Sequence, residues 1–228
     1  PPPLFFLMIR RPPISTQGES SADSDVYKRQ SNSYALSNGK AIDSRVIYAM
    51  TLISRHHFVK ELPYEDMPVP IGHGQTISQP FIVAYMTDML ELQPLHRVLE
   101  IGMGSGYQAA ILSELVQEVY TVERIKELYD TTAPKLQKYE NIISKVGDGY
   151  KGWKEFAPYD RIMVTAMADE IPTELIKQLV DGGKMIIPVK GELLLVTKKK
   201  EIAGVPLIEQ HSLIGVRFVP LVKELEDD

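Results

Sequence analysis

The sequence predicts an α/β protein with a doubly wound, seven-stranded and mostly parallel sheet, preceded by an N-terminal addition of helices and loops. Four short apolar segments alternate with stretches long enough for crossover helices, which is typical of a parallel sheet. Three more apolar segments follow at the closer spacing of antiparallel hairpins. Alternate glycines directly after the first segment mark a strand-to-helix turn, where open α/β sheets bind ligands.

The N-terminal region is predicted to contain two helices joined by a long loop. Residues 41–58 place apolar side chains on one helical face, and a second helix is expected from Pro80 to Leu92. Between them, residues 63–80 contain too many prolines and glycines for a helix or a central strand. Long loops in compact domains are often functional.

The rest of the chain is predicted to alternate between strands and helices. The expected strands are residues 97–101, 118–123, 142–147, 160–165, 184–188, 193–198 and 213–219. The expected helices are residues 107–117, 124–139 and 171–180. Pro134 predicts a kink in the second of these helices, and Gly182-Gly183 predicts the end of the third.

Composition excludes several classes of protein. The 228 residues contain no cysteine, which removes disulfide scaffolds, thiolate metal sites and cysteine nucleophiles. Asp and Glu number 30 against 25 Lys and Arg, so no broad basic field is available for nucleic acid. No apolar run approaches the ~20 residues that cross a bilayer. We therefore expect a soluble, cytoplasmic protein without nucleic-acid or membrane partners, with a monomer as the default.

The two ends of the chain differ in composition from the remainder. Residues 1–30 are rich in proline, with a short apolar run followed by Arg10-Arg11, and they resemble translated vector or adapter sequence. A natural disordered tail is the alternative. Under both interpretations, residues 1–30 should pack against nothing. We expect residues 31–96 to form the N-terminal helices and the functional loop, residues 97–222 the core, and residues 223–228 a frayed acidic tail.

The clearest ligand signal is the glycine turn at residues 98–107. Side chains are absent at Gly102, Gly104 and Gly106, so a ligand can approach the backbone closely. Tyr107 stands where a dinucleotide fingerprint requires glycine or alanine. The Gly-x-Gly-x-Gly spacing is typical of S-adenosylmethionine enzymes, and a plain tight turn is the alternative.

Three acidic residues lie at or just after the ends of predicted strands, at the same sheet edge. Glu123, 19 residues after Gly104, is placed to accept hydrogen bonds from both hydroxyls of a ribose. Glu100 is placed to hold a ligand ammonium or to order the loop, and Asp148 to accept from an adenine amine. Ordinary strand-end acids, and a turn-forming Asp-Gly at Asp148, are the alternatives.

Several segments together resemble the protein-L-isoaspartate O-methyltransferase family, over roughly residues 41–222. The most specific is Pro70 to Pro80, which reads PIGHGQTISQP. The others are residues 98–107, 122–125, 147–149, 186–189 and 217–221.

The resemblance implies an S-adenosylmethionine-dependent methyltransferase fold and a protein carboxyl O-methyltransferase. S-adenosyl-L-methionine would methylate the α-carboxylate of L-isoaspartyl residues in damaged proteins and peptides. The ester would close to a succinimide, whose hydrolysis returns part of the damage to aspartate. Ser78 would be the catalytic residue, with no metal. The implied cofactor-binding residues are Gln75, Thr76, Ile77, Ser78, Glu100, Gly102, Gly104, Gly106, Glu123, Arg124, Asp148 and Gly149. The implied substrate-binding residues are Ser78, Val219, Pro220 and Leu221.

Two positions depart from the family pattern. Met103 stands where the family usually has Thr or Ser, and Val222 replaces a Thr of some members. Neither change affects the acidic residues. Ser78 itself has a structural alternative, as the N-cap of the helix that starts at Pro80.

The chemistry agrees with the absence of a catalytic dyad. A carboxylate acceptor is already ionised at pH 7 and needs no strong general base. None of the five histidines has metal-ligand spacing. The rival interpretations are another S-adenosylmethionine-dependent methyltransferase and a non-catalytic module that binds adenosyl metabolites. Residues 164–168 lack the Asn/Asp-Pro-Pro-aromatic motif for base amines.

Overall fold

A computed structural model describes residues 41–200 and 207–222. The expectations for residues 1–30 and 223–228 lie outside the described residues. The helices are α1 (Ser44–Leu52), α2 (Pro80–Met89), α3 (Tyr107–Ser113), α4 (Lys126–Leu136) and α5 (Thr173–Lys177). The strands are β1 (Val69–Gly72), β2 (Gln75–Ile77), β3 (Arg97–Ile101), β4 (Glu118–Glu123), β5 (Ile142–Val146), β6 (Tyr159–Val164), β7 (Leu179–Val189), β8 (Glu192–Lys198) and β9 (Ile208–Gly215).

The first helix is shorter than predicted. Asp43 caps α1, since its side chain accepts from the Arg45 backbone N–H at 2.8 Å. The chain leaves the helix at Ile53, whose backbone is extended, and a 3₁₀ turn at Arg55–His57 follows. This change of direction is what brings Phe58 into the core.

The segment predicted as a loop contains an antiparallel hairpin, which corrects that prediction. Strands β1 and β2 pair from Val69 opposite Ile77 to Gly72 opposite Gln75. Pro70 is tolerated because each strand of a two-stranded sheet has one unpaired side. The turn has positive φ at three successive residues, Gly72, His73 and Gly74, so its glycines meet a conformational requirement.

The main sheet has the predicted architecture of seven mostly parallel strands. Its order is β5-β4-β3-β6-β7-β8-β9, with parallel pairing from β5 through β7 and antiparallel pairing of β8 with both of its neighbours. The chain runs outward from β3 to β5 and then returns to place β6 on the other side of β3. This reversal creates a crevice at the carboxyl ends of the central strands, which is where doubly wound sheets bind ligands.

Three predicted boundaries in the second half are wrong. Helix α5 ends at Lys177, and Gly182 and Gly183 lie inside β7 rather than after a helix. The register of β7 against β6 shifts in this stretch, and Gly182 has a φ of +78°, so the glycines permit an irregular strand. Strand β9 covers residues 208–215 instead of 213–219.

Two clusters of buried apolar residues cover the two faces of the sheet. Adjacent residues of β3 face opposite sides, with Val98 in the cluster beneath α1, α2 and α3 and Leu99 in the cluster beneath α5. Because the sheet is covered on both faces, its open functional surface is the edge at the strand ends. Among the described helices, none is long and apolar enough to cross a membrane.

A hydrogen bond from α4 anchors the glycine turn, and its removal tests how firmly the turn is held. Thr132 is buried, and its Oγ1 donates to the Gly104 carbonyl at 2.8 Å. We expect Thr132→Val, which preserves shape, to lower the free energy of unfolding by about 1–2 kcal/mol. The matched control is Thr131→Val, because Thr131 is exposed and its hydroxyl donates only to Leu128 within the same helix. Urea denaturation that gives both variants the same stability contradicts this assignment.

Candidate active site

A cavity of about 150 Å³ lies at the carboxyl ends of β3, β4 and β6. Most of the residues predicted from sequence line it, from both halves of the chain: Gln75, Thr76, Ile77, Ser78, Gly102, Gly104, Glu123, Arg124, Gly149, Val219, Pro220 and Leu221. Three predicted residues, Glu100, Gly106 and Asp148, are not part of the lining. The fold therefore brings the hairpin, the glycine turn and the C-terminal segment to one place.

The glycines of the turn are required by close packing and by backbone conformation. Gly102 has a φ of +95°, and a Cβ there would lie 2.4 Å from Oγ1 of Thr165 on the loop after β6. That hydroxyl lies 2.7 Å from the Gly102 carbonyl oxygen. Gly106 precedes α3 with a φ of +86°, and a Cβ there would lie 3.0 Å from Leu136 and Thr132. Gly106 thus shapes the turn from behind, while Gly102 and Gly104 face the cavity.

The carboxylate of Glu123 joins two separate loops. One oxygen accepts from the Gly104 N–H at 2.8 Å, and the other accepts from the N–H groups of Arg124 and Ile125 at 2.9 and 3.0 Å. The residue is 5% exposed and lines the cavity. Glu123 is therefore held rigidly at the position where a ribose acceptor was predicted.

Glu100 occupies a different environment from the one expected of a ligand for an ammonium. Its side chain is fully buried, and Oε2 accepts from the Thr121 hydroxyl. Oε1 makes no hydrogen bond within the described part of the chain. Burial, reinforced by the nearby Glu123, raises the pKa of Glu100 to about 8, so the carboxyl is mostly neutral at pH 7. The hydrogen bond to Thr121 joins β3 to β4 within the sheet, so the carboxyl does not reach the cavity.

The Asp148 side chain also lies outside the cavity lining and accepts a hydrogen bond from the backbone. Its Oδ1 accepts from the Tyr150 N–H at 2.9 Å, and the side chain is 6% exposed. This is the turn-forming geometry that the sequence left open. The turn presents Gly149 to the cavity, where a Cβ would lie 2.5 Å from Ile101 Cγ2.

The hairpin supplies the cavity wall that contains Ser78. Ile77 is buried and pairs with Val69, while Ser78 is half-buried in the lining. The N-cap of α2 is Gln79 rather than Ser78, because Pro80 at the first helical position requires an extended residue before it. The Ser78 hydroxyl makes no hydrogen bond within the described part of the chain. The structural alternative for Ser78 is therefore wrong, and the hydroxyl remains available to a ligand.

The C-terminal strap, residues 219–222, covers the opposite wall. Met167 receives it through a short bridge, with Met167 N–H donating to Val219 and Leu221 N–H donating back, both at 2.7 Å. Arg124 Nη1 donates to the Val222 carbonyl oxygen at 2.8 Å. The strap thus closes over the cavity from the β6 side to the β4 side.

Several lining residues were not predicted from the sequence. They are Val83, Met86, Ile101, Met103, Ser105, Tyr107, Gln108, Val122, Ile125, Leu128, Thr165, Ala166 and Val222. Helical periodicity marks the apolar residues of α2 as core without showing that they also reach a cavity. Tyr107 and Gln108 follow the glycine turn directly, so proximity to it was the available signal. Within residues 41–200 and 207–222, no group of acids and histidines is arranged to hold a metal ion.

The fold and the cavity together define a class. A doubly wound sheet whose first core strand leads into Gly-x-Gly-x-Gly, with a carboxylate at the end of the next strand, is the arrangement of S-adenosylmethionine-dependent methyltransferases. The chain belongs to the protein-L-isoaspartate(D-aspartate) O-methyltransferase (PCMT) family, whose model matches residues 32–226.

Individual relatives agree with this assignment. A Dictyoglomus thermophilum protein named protein-L-isoaspartate O-methyltransferase is 52% identical over 190 residues, spanning 79% of this chain and 84% of the relative. A Polaromonas sp. protein named protein-L-isoaspartate O-methyltransferase 2 is 48% identical over 192 residues, spanning 79% of this chain and 89% of the relative. A crystal structure described as a Plasmodium falciparum protein-L-isoaspartate O-methyltransferase in complex with S-adenosyl-L-homocysteine superimposes on this chain with a TM-score of 0.74 at 27% identity. It covers 89% of this chain and 99% of its own.

Neutralising Glu100 tests its buried state through pH. Between about pH 4.5 and 8 the unfolded chain releases the Glu100 proton while the folded chain keeps it, so this residue lowers stability as pH rises. We expect Glu100→Gln to gain stability relative to the parent across that range, with a constant difference above it. The matched control is Glu118→Gln. Because Arg97 lowers the pKa of Glu118, this variant should lose stability relative to the parent as pH rises toward about 4.5, and the difference should stay constant from about pH 4.5 to 8. Parallel stability curves for the parent and Glu100→Gln, from denaturation at several pH values, contradict the assignment.

Proposed function

We propose that this chain transfers the methyl group of S-adenosyl-L-methionine to the α-carboxylate of L-isoaspartyl residues in proteins and peptides. The observation that carries the proposal is the meeting of Gln75–Ser78 with the glycine turn and Glu123 in one cavity. The glycine turn and Glu123 account for a nucleoside cofactor, which many methyltransferases share. The Gln75–Ser78 wall accounts for the acceptor.

The cavity suits an acceptor that needs no deprotonation. Among the described residues of the lining, Glu123 is the single carboxylate, and its oxygens already hold three backbone N–H groups. A substrate carboxylate is ionised at neutral pH, so no general base is required. An amine or hydroxyl acceptor would need one. The lack of a free carboxylate base in the described lining therefore favours carboxyl methylation over methyl transfer to an amine or a hydroxyl.

Positioning is the main task that remains for the protein. When bound, the cofactor supplies an electrophilic methyl group on a sulfonium sulfur. Holding two reactants in line lowers a barrier by roughly 7–11 kcal/mol. The Ser78 hydroxyl is a donor without a partner in the described chain, and it is placed to orient an anionic acceptor at the hairpin wall. The positive sulfonium and the negative acceptor neutralise each other during transfer, which a water-poor cavity favours.

The cofactor and substrate residues divide between direct and supporting roles. Glu123 accepts from the ribose hydroxyls, Gly102 and Gly104 let the ligand approach the backbone, and Val219–Leu221 line the substrate side. Glu100, Gly106 and Asp148 support these groups from behind the lining. The amide nitrogen that follows the isoaspartyl residue attacks the new ester carbonyl, methanol leaves and a succinimide forms; hydrolysis of that ring returns part of the damaged residue to aspartate.

The proposal includes the cellular setting and the organisation of the chain. We infer a cytoplasmic monomer that acts on isoaspartyl proteins and does not require nucleic acid. The acidic net charge of −5 supports the absence of a nucleic-acid surface. Residues 31–96 contribute the hairpin wall, and residues 97–222 contribute the cofactor side.

Ser78→Ala tests the acceptor wall. We expect folding and cofactor affinity to be retained and turnover of an isoaspartyl peptide to fall at least 10-fold, because an orienting hydrogen bond to a charged group is lost. Labelled S-adenosylmethionine and paired peptides that differ only in Asp or isoAsp give the readout, as base-labile methyl ester.

The control for this variant is Ser113→Ala, because the Ser113 hydroxyl donates to Ala110 on α3. Unchanged turnover in Ser78→Ala removes Ser78 from the mechanism. Equal labelling of the Asp and isoAsp peptides by the parent protein contradicts the proposed substrate. Cofactor binding with no ester in either peptide favours a non-catalytic binding module.

Glu123→Ala tests the cofactor side. We expect the dissociation constant for S-adenosylhomocysteine to rise more than 10-fold, because the variant loses the ribose acceptor and releases the Gly104 N–H. Glu127→Ala is the matched control, an exposed acid in the first turn of α4. Calorimetric titration with an unaltered dissociation constant for Glu123→Ala would rule out the ribose assignment.

A further inference from the structure

Gln108 is a polar residue of the cavity lining that belongs neither to the glycine motif nor to the acidic residues predicted to bind the ligand. It lies in the first turn of α3, two residues after Gly106, and is 9% exposed. Its side chain lines the cavity beside Val83 and Met86 of α2. A side-chain amide is costly to bury unless its donor and acceptor groups are both used.

A hydrogen-bond chain fixes the orientation of this amide. The Thr87 hydroxyl donates to the Val83 carbonyl oxygen at 2.7 Å, so its oxygen can only accept from Gln108. Gln108 Nε2 is that donor, at 2.9 Å. Oε1 is therefore left as an acceptor. Oε1 accepts no hydrogen bond from the described residues. It is not sealed from solvent, so it stays accessible at the cavity.

The proposed cofactor brings a group that needs such an acceptor. Its methionyl chain carries an ammonium, which has three N–H donors. Glu123 is committed to the glycine turn and the ribose, and Glu100 lies outside the lining. In the molecule of the cofactor, the sulfur separates the ribose from the methionyl chain. Gln108 lines the same cavity as Glu123 but belongs to α3 and lies beside α2, so it is a polar group outside the ribose site that the methionyl chain could reach.

We propose that Gln108 Oε1 accepts a hydrogen bond from the α-ammonium of S-adenosylmethionine, with Thr87 acting as a positioning residue for the amide. This inference rests on the proposed function, since it requires the cofactor in this cavity. It adds a binding residue on the amino-acid end of the cofactor to those at the ribose.

Three ligands separate the ammonium from the rest of the cofactor. S-adenosylmethionine carries ammonium and carboxylate, its decarboxylated form retains the ammonium alone, and 5′-methylthioadenosine has neither. We expect Gln108→Leu to weaken binding of the first two by about 10-fold or more, the loss typical of a hydrogen bond to a charged group. Binding of 5′-methylthioadenosine should change less than about 2-fold. Gln108→Glu restores the acceptor and should restore affinity for both ammonium ligands.

Two further variants complete the design. Thr87→Val frees the amide to rotate, and should weaken the two ammonium ligands by a smaller factor than Gln108→Leu. Glu123→Ala should weaken all three ligands, since all contain the ribose. Dissociation constants are measured by calorimetry, and a thermal melt of each variant confirms its folding.

The outcomes separate the two proposals. If Gln108→Leu weakens all three ligands equally, or none of them, the ammonium assignment is overturned while the Glu123 result still supports the cofactor site. If only S-adenosylmethionine weakens, Gln108 contacts the carboxylate instead and the inference is wrong. If Gln108→Leu changes only the Michaelis constant for the peptide, the residue faces the substrate. If Glu123→Ala leaves the dissociation constants of all three ligands unchanged, the cofactor site itself is overturned.

Discussion

The shape of the cavity depends on the three hydrogen bonds that the Glu123 carboxylate accepts from backbone N–H groups. The carboxylate connects the glycine turn after β3 to the start of α4 after β4, in addition to the pairing of the two strands and the hydrogen bond from Thr132 to Gly104. A carboxylate is the one side-chain group that can hold donors on both oxygens at once without a proton of its own. The same atoms are thus a structural clamp and the rim of the ligand site, so loop geometry and ligand affinity cannot vary independently.

Two acids at one sheet edge have different chemistry because their donors differ. Glu123 receives three backbone N–H groups, whereas Glu100 receives one hydroxyl and is sealed from water. Burial without compensating donors favours the neutral form of a carboxyl group. The neutral Glu100 avoids placing a buried charge near Glu123. Because water is excluded, a side chain of either charge at position 100 would be costly.

The seven-stranded, mostly parallel architecture follows from short-range patterns, and the sequence predicted it. Apolar runs identified β3 through β6, and the glycine motif marked the switch point where the cavity lies. The errors occur where tertiary pairing overrides local signals. Gly182 and Gly183 read as a helix end, yet pairing with β6 carries them into a strand. The prolines of the hairpin read as loop, yet an isolated pair of strands accommodates them.

The finer content of the site could not be read from spacing. The distinction between Ser78 and Gln79 as helix cap depends on one residue of register at Pro80. The role of Gln108 depends on Thr87, a residue 21 positions earlier on another helix. Sequence proximity to a motif predicts which residues are near a ligand. Only the fold shows which of their atoms are already occupied.

The strap contact made by Arg124 has a consequence for how the chain tolerates change. The acceptor is the main-chain oxygen of residue 222, so the guanidinium recognises the path of the backbone and not the identity of the side chain. The valine found there leaves that hydrogen bond intact. A change of side chain at residue 222 therefore alters the outer rim of the cavity without removing the hydrogen bond that ties residues 219–222 to the loop leading into α4.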